Sequence, residues 1–274
     1  MTSALVFLYG LVVGSFLNVC IHRLPAGQSV VRPRSRCPRC GKPIAAYDNI
    51  PLASYLVLRG RCRHCCVRIS PLYFFIELTA GLLALFLYSV FGLTAEFAKA
   101  ATLAATLLVL VVTDWQERIL PDRVTFPGMA LGLVFSLIVP INDGAGAFLT
   151  RVAGLEAVSP RLESVLDSLL GAALGAGLLY GLGEAYFRLR GREGMGFGDV
   201  KMMAMVGFFL GPKLALLTIF LGSATGAVLG LAFIAASGKS SAYELPFGSF
   251  LGAAGMIALV WGRAILEWYL GYFG

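Results

Sequence analysis

The chain has 274 residues, of which 58% are apolar and only 14% charged, with a mean hydropathy of +0.82. An ordinary soluble domain carries roughly a quarter charged residues, so the composition excludes a water-soluble globular protein and places the chain in a bilayer. The formal net charge of +7 invites a nucleic-acid reading. The cations lie in loops pinned to a membrane, however, where anionic lipid headgroups explain them, and no nucleic-acid partner is expected.

A transmembrane helix needs about 20 predominantly apolar residues. The first such stretch, 4–21, has no basic residue ahead of it and a run of them behind. It therefore reads as a retained span with its N-terminus outside and not as a cleaved signal. Residues 22–71 form the one long polar insert, rich in Arg, Pro and Cys, and are expected to be a small cytoplasmic domain. Further apolar stretches follow at 72–92, 97–113, 124–141, 168–187, 214–236 and 246–270; a shorter one at 200–211, a short or tilted span or a re-entrant piece, is counted as the eighth span. The expectation is an all-α polytopic membrane protein with about eight transmembrane helices, divided into a first helix (1–21), the inserted domain (22–71) and a helical bundle (72–274).

Eight spans put segments 22–71, 114–123, 188–201 and 237–245 inside, with ten, two, four and one Lys or Arg, which is 17 of the 22. Lys99, Arg151, Arg161, Lys213 and Arg263 alone fall outside. The positive-inside rule supports that orientation. The outer segment 142–167 is polar with little pattern and reads as a connector. Glycines inside the spans, such as Gly171, Gly175 and Gly177 or Gly222, Gly226 and Gly230, have the spacing of close helix packing in lipid.

Cys37 and Cys40 form one C-x2-C pair, and Cys62 and Cys65 a second, 21 residues later. Two such pairs on knuckle turns can offer four thiolates tetrahedrally to zinc. A disulfide framework conflicts with the reducing cytosol, and a redox pair would need a thioredoxin-like unit that is not evident. Cys66 blurs the register of the second pair, and His22 or His64 could replace a thiolate. Cys20, in the first span, reads as an ordinary buried thiol.

Two carboxylates at span edges need an explanation, because an Asp at a helix centre costs about 2.5–3.5 kcal/mol on insertion scales. Asp114 ends the third span and Asp199 opens the 200–211 segment, both at the expected cytoplasmic boundary. At 4 Å and an effective dielectric near 20, two carboxylates repel by about 4 kcal/mol, so a shared site keeps one of them protonated. An ionised carboxylate to activate water beside a protonated one to polarise a carbonyl is the requirement for aspartic proteolysis. Gly196 and Gly198 would let an extended substrate approach. The competing reading pairs Asp114 with Arg118, and Asp199 with Lys201 or with its own helix start.

The series GSFLNVCIHRLP (14–25), the paired cysteines, DWQERILPD (114–122), GMGFGDVKMMAMVGFFLG (194–211) and PFGSFLG (246–252) resembles the prepilin peptidases, also called type IV prepilin leader peptidase/N-methyltransferases, over nearly the whole chain. The resemblance implies a membrane aspartic endopeptidase of the bacterial inner membrane that removes the basic leader of type IV prepilins and type II secretion pseudopilins after a glycine. It also implies methylation of the new N-terminus with S-adenosylmethionine. It places the catalytic pair on Asp114 and Asp199, the latter in the motif Gly196-Phe197-Gly198-Asp199, with Asp122 as the runner-up for the first position and a helix-start role for it after Pro121. The cysteines match those of bifunctional members, although Cys66 stands where a small residue such as Gly is usual. No G-x-G-x-x-G follows a strand, so a methyl-donor site would be built from the polar insert and helix ends, with Asn18, His22 and Arg23 as contributors. A transporter or channel with a zinc-stabilised loop is the alternative and has no need of the aspartate pair. Dimerisation is left open.

Overall fold

The structure is a computed structural model, and it describes residues 1–154, 158–192, 194–237 and 246–273. The expected inner segment 237–245, with Lys239, lies almost entirely outside these residues. The chain folds as two compact units, Met1–Ala101 and Thr102–Gly274. Among the described residues the only strand-like pairings are two isolated bridges, so the architecture is helical.

In the first unit, α1 (Thr2–Arg23) runs antiparallel to α3 (Leu72–Phe91). Gly10 and Gly14 set the spacing: a Cβ on Gly14 would lie 2.8 Å from both the Ala80 Cβ and the Glu77 Cα. Lipid offers no hydrophobic drive for helix pairing, so this close approach is what gains dispersion energy. Between the two helices come the insert, a 3-10 turn at Ala46–Asn49 and the short α2 (Ala53–Val57).

α4 (Ala95–Glu117) begins in the first unit and continues in the second. The second unit adds α5 (Asp122–Ile138), α6 (Ala145–Val152), α7 (Pro160–Arg190), α8 (Phe197–Leu210), α9 (Pro212–Ser237) and α10 (Phe247–Phe273). α8 is its centre. Met202, Met203, Met205, Val206 and Phe209 are fully buried, and α5, α7, α9 and α10 pack around them. Gly207 meets Gly171 of α7 backbone to backbone, since a Cβ on Gly207 would lie 2.2 Å from the Gly171 carbonyl oxygen. Ser168 donates to the Phe208 carbonyl at 2.7 Å across the same seam. Gly175 packs there too, whereas Gly177 faces open space.

Six helices among the described residues are long and apolar enough to cross a membrane: Thr2–Arg23, Leu72–Phe91, Ala95–Glu117, Pro160–Arg190, Pro212–Ala232 and Phe247–Tyr272. The stretches read at 124–141 and 200–211 became α5, with 17 residues, and α8, with 14. At about 1.5 Å per residue these measure about 25 and 21 Å, short of a hydrocarbon core of about 30 Å.

The connector expected over 142–167 is instead largely helical. Ser159 caps the start of α7, its hydroxyl accepting the Leu162 N–H, with Pro160 in the first turn. Asp167, read as loop, is buried and accepts N–H bonds from Gly146 at 2.7 Å and Asp143 at 3.2 Å. Ser164 links the segments further, accepting from Ile141 N–H and donating to the Ser136 carbonyl. Polar residues that looked unpatterned are the partners of helix ends.

Candidate active site and metal centre

Three helix ends of the second unit converge on one point. Asp114 lies in the last turns of α4, Asp199 in the first turn of α8, and Gly248 and Ser249 open α10. Both aspartates are largely buried, 6% and 7% exposed. Ser249 holds Asp114 twice, its backbone N–H donating to Oδ2 at 2.6 Å and its hydroxyl at 2.8 Å. That hydroxyl also lies 3.1 Å from the Val111 carbonyl, so its single proton is shared between two acceptors.

Gly248 sits between the acids. A Cβ there would be 2.8 Å from the Asp199 Oδ1 and 3.1 Å from the Asp114 Oδ2. The carboxylates are thus no farther apart than those two distances laid end to end. With hydrogen as the Gly248 side chain, the space between them stays open. Within the motif PFGSFLG neither Gly248 nor Ser249 stands out in sequence as a site residue. The available signal was a turn-forming Pro-Phe-Gly opening a span on the expected inner side.

The alternative pairing of Asp199 with Lys201 does not form. Lys201 makes its ion pair with Asp122, at the start of α5, and not with Asp199. Its ammonium also stands 5.3 Å from the Phe197 ring centroid and 5.7 Å from that of Phe126, at cation–π range. Asp122 therefore has a structural partner. Arg118, at φ +55°, closes α4, its backbone N–H donating to the Asp114 carbonyl oxygen.

In the first unit, the Sγ atoms of Cys37, Cys40, Cys62 and Cys65 all lie within 4.8 Å of one another. They sit on two copies of one turn. Cys37 N–H bonds Lys42 O and Gly41 N–H bonds Cys37 O; 25 residues on, Cys62 N–H bonds Val67 O and Cys66 N–H bonds Cys62 O. Each turn closes on a bridge, Arg36 with Pro43 and Arg61 with Arg68. Cys66 occupies the position of Gly41, with φ +53° against +68°, a conformation that favours glycine, and Cys66, exposed, lies outside the cluster.

The cluster fits a tetrahedral metal. Zn–S bonds of about 2.3 Å set sulfurs about 3.8 Å apart, and Cys37 Sγ and Cys65 Sγ are 3.6 Å apart as free thiols. The backbone N–H groups of Cys40 and Arg39 pull the Cys37 thiol down to about 6, favouring the thiolate a metal requires. Neither histidine belongs to the cluster; His22 stacks on Tyr73, ring centroids 4.6 Å apart. Asn18, His22 and Arg23 line a cavity of about 360 Å³ in this unit. Cys20 is buried in α1, as expected.

Residues 8–91 match the family model of the bacterial peptidase A24 N-terminal domain, and residues 101–231 that of the type IV leader peptidase family. A prepilin leader peptidase/N-methyltransferase of Aeromonas salmonicida (strain A449) is 35% identical over 97% of this chain and 93% of its own. Those of Aeromonas hydrophila, at 35% over 98% and 94%, and Pseudomonas aeruginosa, at 36% over 97% and 93%, are as similar. No solved structure matches the chain. The two family models together cover the cysteine turns and the helices that carry both aspartates, and the relatives align almost end to end, so the chain belongs to the type IV leader peptidase family.

Proposed function

We propose that this protein cleaves the basic leader from type IV prepilins and type II secretion pseudopilins, with Asp114 and Asp199 as the catalytic pair, and then methylates the new N-terminus using S-adenosylmethionine. The observation that carries the peptidase reading is the opening at Gly248, with one oxygen of each aspartate within 3.1 Å of a single point. Repulsion across such a gap leaves one carboxylic acid protonated. The ionised partner takes a proton from water as the water attacks the scissile carbonyl. The protonated one hydrogen-bonds the carbonyl oxygen and supports the charge that develops there. Ser249 positions the Asp114 carboxylate by its two hydrogen bonds.

The reading places the protein in the bacterial inner membrane with eight crossings, α5 and α8 being short ones sheltered by the longer helices, and sets the cysteine domain (22–71) and the aspartates towards the cytosol. Cys37, Cys40, Cys62 and Cys65 hold a structural zinc that orders an insert too short to build its own core. Methyl transfer rests on the names of the relatives, and the cavity beside the cysteine turns offers it a place. Incubating the purified protein with a prepilin and S-adenosylmethionine, followed by mass spectrometry, tests both steps. A shortened product heavier by one methyl group is expected. An uncut substrate would contradict the peptidase reading and leave the transporter or channel alternative standing; a shortened but unmethylated product would leave a peptidase alone.

A further inference from the structure

The cavity of the first unit carries a chemistry that neither the aspartate pair nor the thiol cluster uses. Two acceptor groups, both nearly buried, line it: Asn18, 2% exposed, and Glu77, 9% exposed. Asn18 donates through Nδ2 to the Tyr73 carbonyl at 3.0 Å. That orientation is forced, because a carbonyl can only accept. Its Oδ1 is then a buried acceptor with no hydrogen-bond partner among the described residues. Leaving such an atom unpaired is costly, so a donor belongs there.

Glu77 supplies a carboxylate to the same cavity. It accepts the Leu52 N–H at Oε2, 2.9 Å away, and keeps further lone pairs. The turn that aims this N–H is strained. Leu52 has φ +57° and ψ −49°, and Ala53 N–H bonds Pro51 O at 2.6 Å, a classic γ-turn, which L-residues rarely adopt. Strain of this kind persists where the surroundings over-determine it, most often around ligands.

Around these two acceptors the charged residues exposed in the lining are cationic, among them Arg36, Lys42, Arg61 and Arg68. The one other acid in the lining, Asp48, is committed to Arg63 at 2.6 Å. A multiply charged basic leader is repelled by such a rim. An anion alone would pass the rim but meet Glu77. What satisfies both levels is a single N–H-rich cation on a molecule that is otherwise apolar or bears a carboxylate.

We propose that Asn18 and Glu77 form the binding site for an α-ammonium group. The proposal rests on the methyl-transfer reading, which supplies two sources of that group: the new N-terminus of a cleaved pilin and the aminoacyl end of the methyl donor. The three N–H bonds of an ammonium match the unpaired Asn18 oxygen and the free lone pairs of Glu77.

The test is a binding titration of the full-length chain in detergent. One probe is a peptide with a mature pilin N-terminus, free or N-acetylated; the other is S-adenosylhomocysteine, with or without its amino group. At least one free-amine probe should bind wild type ten-fold or more tighter than its blocked form. Glu77→Gln, which keeps an oxygen for the Leu52 N–H, and Asn18→Ala should each collapse that ratio towards one while zinc content and melting temperature hold. Collapse for the peptide assigns the site to the acceptor, and collapse for the nucleoside assigns it to the donor. A free-to-blocked ratio unchanged in both variants for both probes would overturn the proposal. Methylation by wild type is scored separately by mass, so its absence counts against the methyl-transfer reading while the binding ratios still decide the ammonium site.

Discussion

Gly248→Ala is the sharpest perturbation of the aspartate site, because it adds one carbon at the point the two acids share. That Cβ would sit 2.8 Å from Asp199 Oδ1 and 3.1 Å from Asp114 Oδ2, whereas ordinary contact begins at 3.4 Å. The carboxylates must therefore part by about 0.6 and 0.3 Å, and the opening fills with a methyl group. Misplacement of about 1 Å in an active site can cost about 10²-fold, and exclusion of water adds to it, so cleavage should fall by at least about 10²-fold, or about 2.7 kcal/mol in the barrier. The fold should tolerate the change. Gly248 has no positive φ, its neighbours are side-chain ends that can rotate, and Gly to Ala in a helix gains about 0.5–1 kcal/mol. The assay is prepilin cleavage by the purified variant, paired with thermal unfolding. A variant that melts like wild type and cleaves within about threefold of it would refute the placement of the reaction between these carboxylates.

Asp122→Asn removes the partner of Lys201 from a pair whose side chains are 54% and 19% exposed; such pairs contribute about 0.2–1 kcal/mol, so prepilin cleavage should persist, and its abolition would move the first catalytic acid to Asp122. Metal analysis should find one zinc per chain, lost in Cys37→Ser. Cys66→Gly should keep the metal and melt higher, since it relieves a left-handed penalty of about 1 kcal/mol; loss of zinc there would make Cys66 a ligand. Gly207→Ala should lower the melting temperature and yield sharply, because its Cβ meets the Gly171 backbone at 2.2 Å and a backbone cannot rotate aside; an unchanged melting temperature would show that this seam can open.

Most of the helices were legible because lipid leaves no alternative to long apolar runs. α8 was legible as apolar and short but not as central: a helix that is hydrophobic all round looks the same whether protein or lipid covers it, and only its neighbours in the second unit decide. The helices within 142–167 are not legible in sequence because Asp167 and Ser164 serve partners more than 20 residues away, which local pattern cannot reveal. The cysteine spacing gave the four clustered thiols directly, and the doubt over Cys66 disappears once its backbone is seen to repeat that of Gly41. Gly248 was invisible as a site residue, since its role is a distance to two side chains far away in sequence. Glu77 is legible on the same ground as Asp114, since a carboxylate in an apolar span needs an explanation.

The most direct measurement of the central claim is leader cleavage by Asp114→Asn and by Asp199→Asn, each purified and confirmed folded by its melting curve. Asn retains the size of Asp and, in Asp114→Asn, an oxygen for Ser249, so both variants should fold. With either carboxyl group gone, water activation or carbonyl polarisation fails, and the account predicts prepilin left uncut by both proteins. Cleavage near the wild-type rate by either one would contradict it.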